Sequence, residues 1–255
     1  MWRKNGTLLS LLLIGLFVFT GTAVSANNTS VFTFEKHPID FKYGIQVHGG
    51  AGLYAMGDVN DYRAQGAPAE NEEDAEMGIA WGLSLLYRAS EHVRWEIGFT
   101  SMGEDRTYTT WQAGAVTSEV EQTVSGSEFY VVPNWLFNPD GFLLVSLGLG
   151  PSIVSGTLDR SVTQGTSFYN ATGRSIGGRA QLGLQLRVNE SWALNLQGGY
   201  RLAKVGRLIN EDRDGNETTV YWGFNDRQMS TDFSGPFVEL GLRLYFKPAT
   251  KWHKI

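Results

Sequence analysis

The reactive side chains of this sequence are charges set at alternate positions within otherwise apolar stretches. Arg94 and Glu96 lie in VRWEIGF, Arg179 and Arg187 in GRAQLGLQLR, and Glu239 and Arg243 in GPFVELGLRLYF. Lys42, His48, Glu128 and Arg201 fall in comparable surroundings. If these side chains share one enclosed space, they must be paired or hydrogen-bonded, because an unpaired buried charge is costly. Such a set is a structural plug of ion pairs and glutamine amides, or else the lining of a narrow basic pore. His48 and Glu239 fall near one level and could form an acid/base dyad. No nucleophile can be placed beside them, so His48 reads as a satisfied structural histidine. Asn210 to Gly215 (NEDRDG) begins like a calcium loop, but its twelfth position is Tyr221 instead of the bidentate glutamate. It reads as a hairpin turn at Asp214-Gly215. No catalytic residue, metal ligand or cofactor is therefore assigned.

The elements that position these charges follow from hydrophobic periodicity. In the last stretch Val238, Leu240, Leu242, Leu244 and Phe246 alternate with Glu239, Gly241, Arg243 and Tyr245. Period two makes a strand with one apolar and one polar face. The same alternation predicts strands at 41–55, 77–87, from 93, at 128–137, 142–155, 174–188 and 192–202. Together with 235–246 these are eight. Residues 102–127 are polar yet rich in β-formers and read as a hairpin that continues the third and fourth strands, with Thr107 to Val124 standing above them. A second hairpin is expected at Arg207 to Trp222. Connections alternate long and short: 56–76, 156–173 and 203–234 read as loops, whereas Arg88 to His92, Asn138 to Gly141 and Asn189 to Ser191 read as turns. The first loop is acidic, with Asp58, Asp61, Glu70, Glu72, Glu73, Asp74 and Glu76 against Arg63.

Glycine, alanine and serine stud the polar faces, which suits a crowded lumen better than a water-exposed surface. The apolar faces then point outward, into lipid, and the fold class is an all-β, eight-stranded antiparallel up-and-down transmembrane barrel. Tyr87, Trp95, Trp135, Phe137, Trp192 and Phe246 lie beside the short turns or the C-terminal end, as an aromatic girdle requires. In the final strand Glu239, Gly241, Leu244 and Phe246 resemble the C-terminal assembly signal of Gram-negative outer-membrane barrels. Lys247 to Ile255 extend beyond the aromatic residue that usually ends such chains. In architecture the chain resembles the small OmpA/OmpX-like outer-membrane family. That resemblance implies periplasmic termini, loops outside, and barrel assembly machinery, outer-membrane lipids and lipopolysaccharide as partners.

The N-terminus agrees. Arg3 and Lys4 precede an apolar run from Leu8 to Phe19, and Val24-Ser25-Ala26 offers small residues for cleavage. The expected division is signal peptide 1–26, periplasmic lead-in 27–40, barrel 41–246 and periplasmic tail 247–255. The chain of 255 residues holds no cysteine, so disulfides play no part in its stability. Its net charge of −5 becomes more negative once Arg3 and Lys4 are removed, which argues against nucleic acid. The sequence thus points to a monomeric, non-enzymatic surface barrel for adhesion, recognition or envelope integrity. Its protruding hairpins could add a strand from a protein partner. A small passive channel and a lipid A-modifying barrel enzyme are the other two readings.

Overall fold

A computed structural model describes residues 42–63, 71–73, 77–113, 116–139, 141, 143–162, 169–211, 217–222 and 227–246. The signal peptide, the lead-in, the tail, the acidic residues Glu70, Asp74 and Glu76, and the turn at Asp214-Gly215 lie outside the described residues.

Eight strands carry the architecture: β1 (Tyr43–Leu53), β2 (Met77–Arg88), β3 (Val93–Ala113), β4 (Val116–Phe137), β5 (Leu143–Val162), β6 (Tyr169–Arg187), β7 (Trp192–Leu202) and β8 (Gly235–Phe246). Each pairs antiparallel with its neighbour in sequence, and β8 closes on β1 with Tyr43 opposite Phe246 and Gly52 opposite Phe237. Closure leaves the belt of the barrel no free edge, so its backbone groups bond within the wall. Asn138 alone among the described non-glycine residues takes a positive φ, 54°. It sits in the Asn138-Pro139 turn, where asparagine tolerates the left-handed region.

The two faces of the wall divide as the alternation requires. In β2 the burial of successive residues switches at every step from Met77 to Tyr87. Outward apolar side chains are strongly exposed, Ile176 by 83%, Ile79 by 74% and Leu149 by 64%. A contiguous belt of this kind is foreign to a water-soluble monomer, in which apolar patches are small. Trp95, Trp135, Phe137, Trp192, Tyr87 and Phe246 also point outward at the short-turn end. Pairing of β4 with β5 is interrupted between Tyr130 and Asn134. Pro133 and Pro151 lie within that gap, and neither has an N–H to donate.

The strands are unequal in length. β3 to β6 run 21, 22, 20 and 19 residues, whereas β1, β7 and β8 run 11, 11 and 12. One side of the barrel therefore rises well above the other on the loop side. Segment 156–173, expected as a loop, is instead mostly wall: Gly156 to Arg160 pair with Gly173 to Tyr169. Its serines and glycines suggest a loop, but Thr157, Val162, Tyr169 and Thr172 are β-formers, and each finds a cross-strand partner or extends a strand that does. The 107–124 hairpin is present, with Thr107 opposite Gln122 and Ala113 opposite Val116. Of the second hairpin, Ile209–Glu211 pairs with Glu217–Thr219 and also docks on β6, while Tyr221–Trp222 pairs elsewhere, with Arg227–Gln228.

The long connection after β7 folds back into the barrel mouth. Ala203, Val205, Leu208, Met229 and Phe233 join Tyr54, Met56, Met102, Val124, Val154, Leu158 and Ala171 in one buried apolar cluster. A short helix, α1 (Gly57–Arg63), adds Val59 to it. Thr231 pairs with Val205, and backbone bonds Ala55 N to Ser234 O and Phe233 N to Ala203 O tie the segment to the wall. Gly126 makes room for it: a Cβ there would lie 2.7 Å from Phe233 Cζ.

Candidate functional site

Inside the belt the inward positions of all eight strands converge on a polar core. Four arginines, Arg94, Arg179, Arg201 and Arg243, are buried with three glutamates, Glu96, Glu128 and Glu239. Desolvating so many charges is costly unless neighbours compensate them; here they fall in two tiers, and Arg94, which has no carboxylate partner among the described residues, keeps Nε and Nη2 without a hydrogen bond.

The tier nearer the loops is a ring of two cations and two anions. Arg179 donates to Glu128 at 3.2 Å and, in a very short contact, to Glu239. Arg201 reaches Glu128 at 2.7 Å and Glu239 at 3.6 Å. Aromatic faces complete the cage, with the Arg179 guanidinium 4.4 Å from the ring of Tyr130 and 4.1 Å from that of Phe237. A desolvated cation gains further from such rings. His48 Nε2 lies 3.2 Å from Thr100 Oγ1 and 3.9 Å from Glu239, while Gln46 lies 3.3 Å from its Nδ1. Gly82 stands opposite His48 in the wall, and a side chain there would collide with the imidazole. His48 is thus enclosed by partners. The hydroxyl within reach of His48 is that of Thr100, which is itself buried.

The tier nearer the short turns is built on amides. Glu96 accepts from Tyr130 at 3.1 Å, Gln181 at 3.2 Å, Gln197 at 3.4 Å and Asn134 at 3.5 Å, with Arg243 3.7 Å away. Gln185 Oε1 gathers donors from Arg94 at 2.9 Å, Arg243 at 2.7 Å and Tyr245 at 2.8 Å. Amides with both donors and acceptors let one carboxylate and two guanidiniums share a network without strict one-to-one pairing.

Two sequence-based placements need correcting. Lys42 is exposed just before β1, and it borders a pocket of about 10 Å³ with Arg94 and Tyr245, room for about one water. Arg187 is only half buried, and its guanidinium donates to Pro139 O in the neighbouring turn at 3.0 Å. Both sit at strand ends, where the period-two count outruns the lumen. Tyr130 and Asn134 were not singled out from the sequence, although they share the inward parity of Glu128 on β4. Of the C-terminal signal residues, Glu239 and Gly241 point inward, while Leu244 and Phe246 face outward or the rim.

The architecture can be set beside solved structures. No protein-family model matches the chain, and no curated protein matches it in sequence. In structure it is similar to the outer membrane protein OprG from Pseudomonas aeruginosa, with TM-score 0.50 and 13% identity over 82% of this chain and 98% of that one. A major outer membrane protein from Thermus thermophilus (TM-score 0.47, 12% identity, 80% and 99% covered) and Neisserial surface protein A (0.41, 15%, 80% and 97%) are more distant. The fold is that of the small eight-stranded outer-membrane barrels.

Proposed function

We propose that this protein resides in the outer membrane as a non-enzymatic barrel with a sealed lumen, whose work is done by its loop-side surface. The short turns and both termini then face the periplasm, and β3 to β6 stand as a wall on the cell surface. One observation carries the reading: the interior is closed twice, by the Arg179/Arg201/Glu128/Glu239 ring and by the apolar cluster around Phe233 above it. An aqueous channel would need a continuous polar path, and a lipid-modifying enzyme would need its reacting groups open to lipid. Within the belt the described charged groups, Arg94, Glu96, Glu128, Arg179, Arg201, Glu239 and Arg243, instead point inward. Adhesion or recognition would use the raised wall, and its paired backbone makes it a firm surface for a protein partner. The chain would assemble as a monomer, delivered to the barrel assembly machinery by its C-terminal strand.

The test is fractionation joined to surface labelling. The protein should sediment with outer membranes, shift in gel mobility only on boiling, and accept a membrane-impermeant label at a cysteine placed in the 107–124 hairpin of intact cells. Recovery in the soluble periplasmic fraction would overturn the reading, as would labelling only after the cells are opened. Unchanged lipid A in cells with and without the protein is expected, and a mass change that depends on the protein would favour the enzyme.

A further inference from the structure

The outward face of the wall carries a basic site where the apolar belt ends. On β6 the outward residues are apolar up to Ile176, and Arg174 is the next one along; on β7 the last is Leu202, followed outward by Lys204. Ile209 pairs with Thr172 and with Thr219, so these three share the outward face with Arg174. Extending that register sets Arg207 opposite Arg174. The Arg207 carbonyl oxygen lies against Gly173, and its guanidinium is held on the same outward face by Thr219 Oγ1, at 3.1 Å from Nε and 2.9 Å from Nη2. Arg174 and Lys204 make no hydrogen bond or ion pair among the described residues. Asp232, which pairs with Lys204 in the backbone, accepts instead from Ser234 N. The acidic residues Glu211 and Glu217 lie further from the belt.

Arg207 lies in the connection just before Ile209–Glu211, so two like charges come side by side at the edge of the wall, where they repel unless an anion bridges them. Guanidiniums match a phosphate in fork geometry. A phosphate here would stand at headgroup height, with acyl chains descending over Ile176, Tyr200 and Leu202. The geometry points to a binding site for a phosphorylated glycolipid of the outer leaflet, held by Arg174 and Arg207 with Lys204 beside them. This rests on the membrane placement proposed above.

Full-length protein folded in neutral detergent is titrated with diphosphorylated lipid A and with the same lipid stripped of phosphate, and retention is read by native mass spectrometry. The phosphorylated lipid should bind at least tenfold more tightly. Arg174→Gln/Arg207→Gln should lose that preference, Arg174→Lys/Arg207→Lys should keep part of it, and Arg88→Gln at the opposite rim should leave it intact. Should the double variant lose its folded gel mobility, the phosphate preference of the unaltered protein and the single variant Arg174→Gln still decide. Equal binding of the two lipids, an unchanged preference in the glutamine variants, or full competition by millimolar inorganic phosphate would overturn the site. A protein that fractionates with outer membranes yet shows no preference loses this site and keeps its membrane assignment; a soluble one loses both.

Discussion

The barrel is filled in two different ways along its length. Within the belt the filling is charge and amide, with Arg179, Arg201, Arg243, Glu96, Glu128 and Glu239 buried almost completely. Above the belt it is hydrocarbon, with Phe233, Leu208, Val205, Met229 and Leu158 equally buried. The first filling comes from the wall itself, whose outward face must be apolar and whose inward face is then free to be polar. The second comes from a connection that folds inward, where the wall no longer meets an apolar medium and burial of hydrocarbon supplies the stabilisation. The lower region therefore depends on satisfied partners, and the upper one on packing.

That contrast can be broken by substitution. Glu239→Ala should have the largest effect, about 3–5 kcal/mol of unfolding free energy in detergent, because it strips Arg179 and Arg201 of a buried partner. Glu239→Leu/Arg179→Met should cost clearly less than the two single changes added together. Strict additivity in urea titrations would show that the two residues are not coupled. Phe233→Ala should cost about 3 kcal/mol in its own region, seen as faster hydrogen exchange at Val205 and Thr231, with the midpoint of barrel unfolding nearly unmoved. If that midpoint falls as far as with Glu239→Ala, the two fillings form one cooperative unit. Gly126→Val pushes a side chain against Phe233 and should cost about 1–3 kcal/mol, again on the loop side. Arg187→Ala, at the half-buried rim, should cost about 1 kcal/mol or less, the scale of solvent-screened contacts. A rim variant as damaging as Glu239→Ala would return Arg187 to the polar core.

The lower filling was legible in the sequence and the upper one was not, for a physical reason, although the 107–124 hairpin above the belt was. Period two is imposed wherever a wall separates two media, so Val238 to Phe246 or Trp192 to Leu202 declare their faces residue by residue. The same parity brought Arg94, Glu96, Glu128, Arg179, Arg201, Glu239 and Arg243 to one interior, and it failed only where the wall ends, at Lys42 and Arg187. Above the belt the apolar residues are isolated among polar ones. Val205, Leu208, Met229 and Phe233 follow no period, because a folded-in loop packs through turns and two-residue ladders such as Thr231 with Val205. Strands β5 and β6 outrun their period-two stretches for a related reason: their loop-side ends face water outward and the loop cluster inward, so Leu158 and Ala171 stand alone in Ser/Thr-rich sequence. The approach of Arg207 to the end of β6 was likewise invisible, since it depends on how residues 203–211 dock there.

Conductance decides whether the lumen is closed by its own side chains. Protein folded in detergent and inserted into planar bilayers should give no steady current at moderate voltage, and Glu239→Ala, if it inserts, should raise transient openings by loosening the Arg179 and Arg201 cage. A stable ohmic conductance from the unaltered protein, shifted in ion selectivity by changes at Arg179 or Arg243, would contradict that closure.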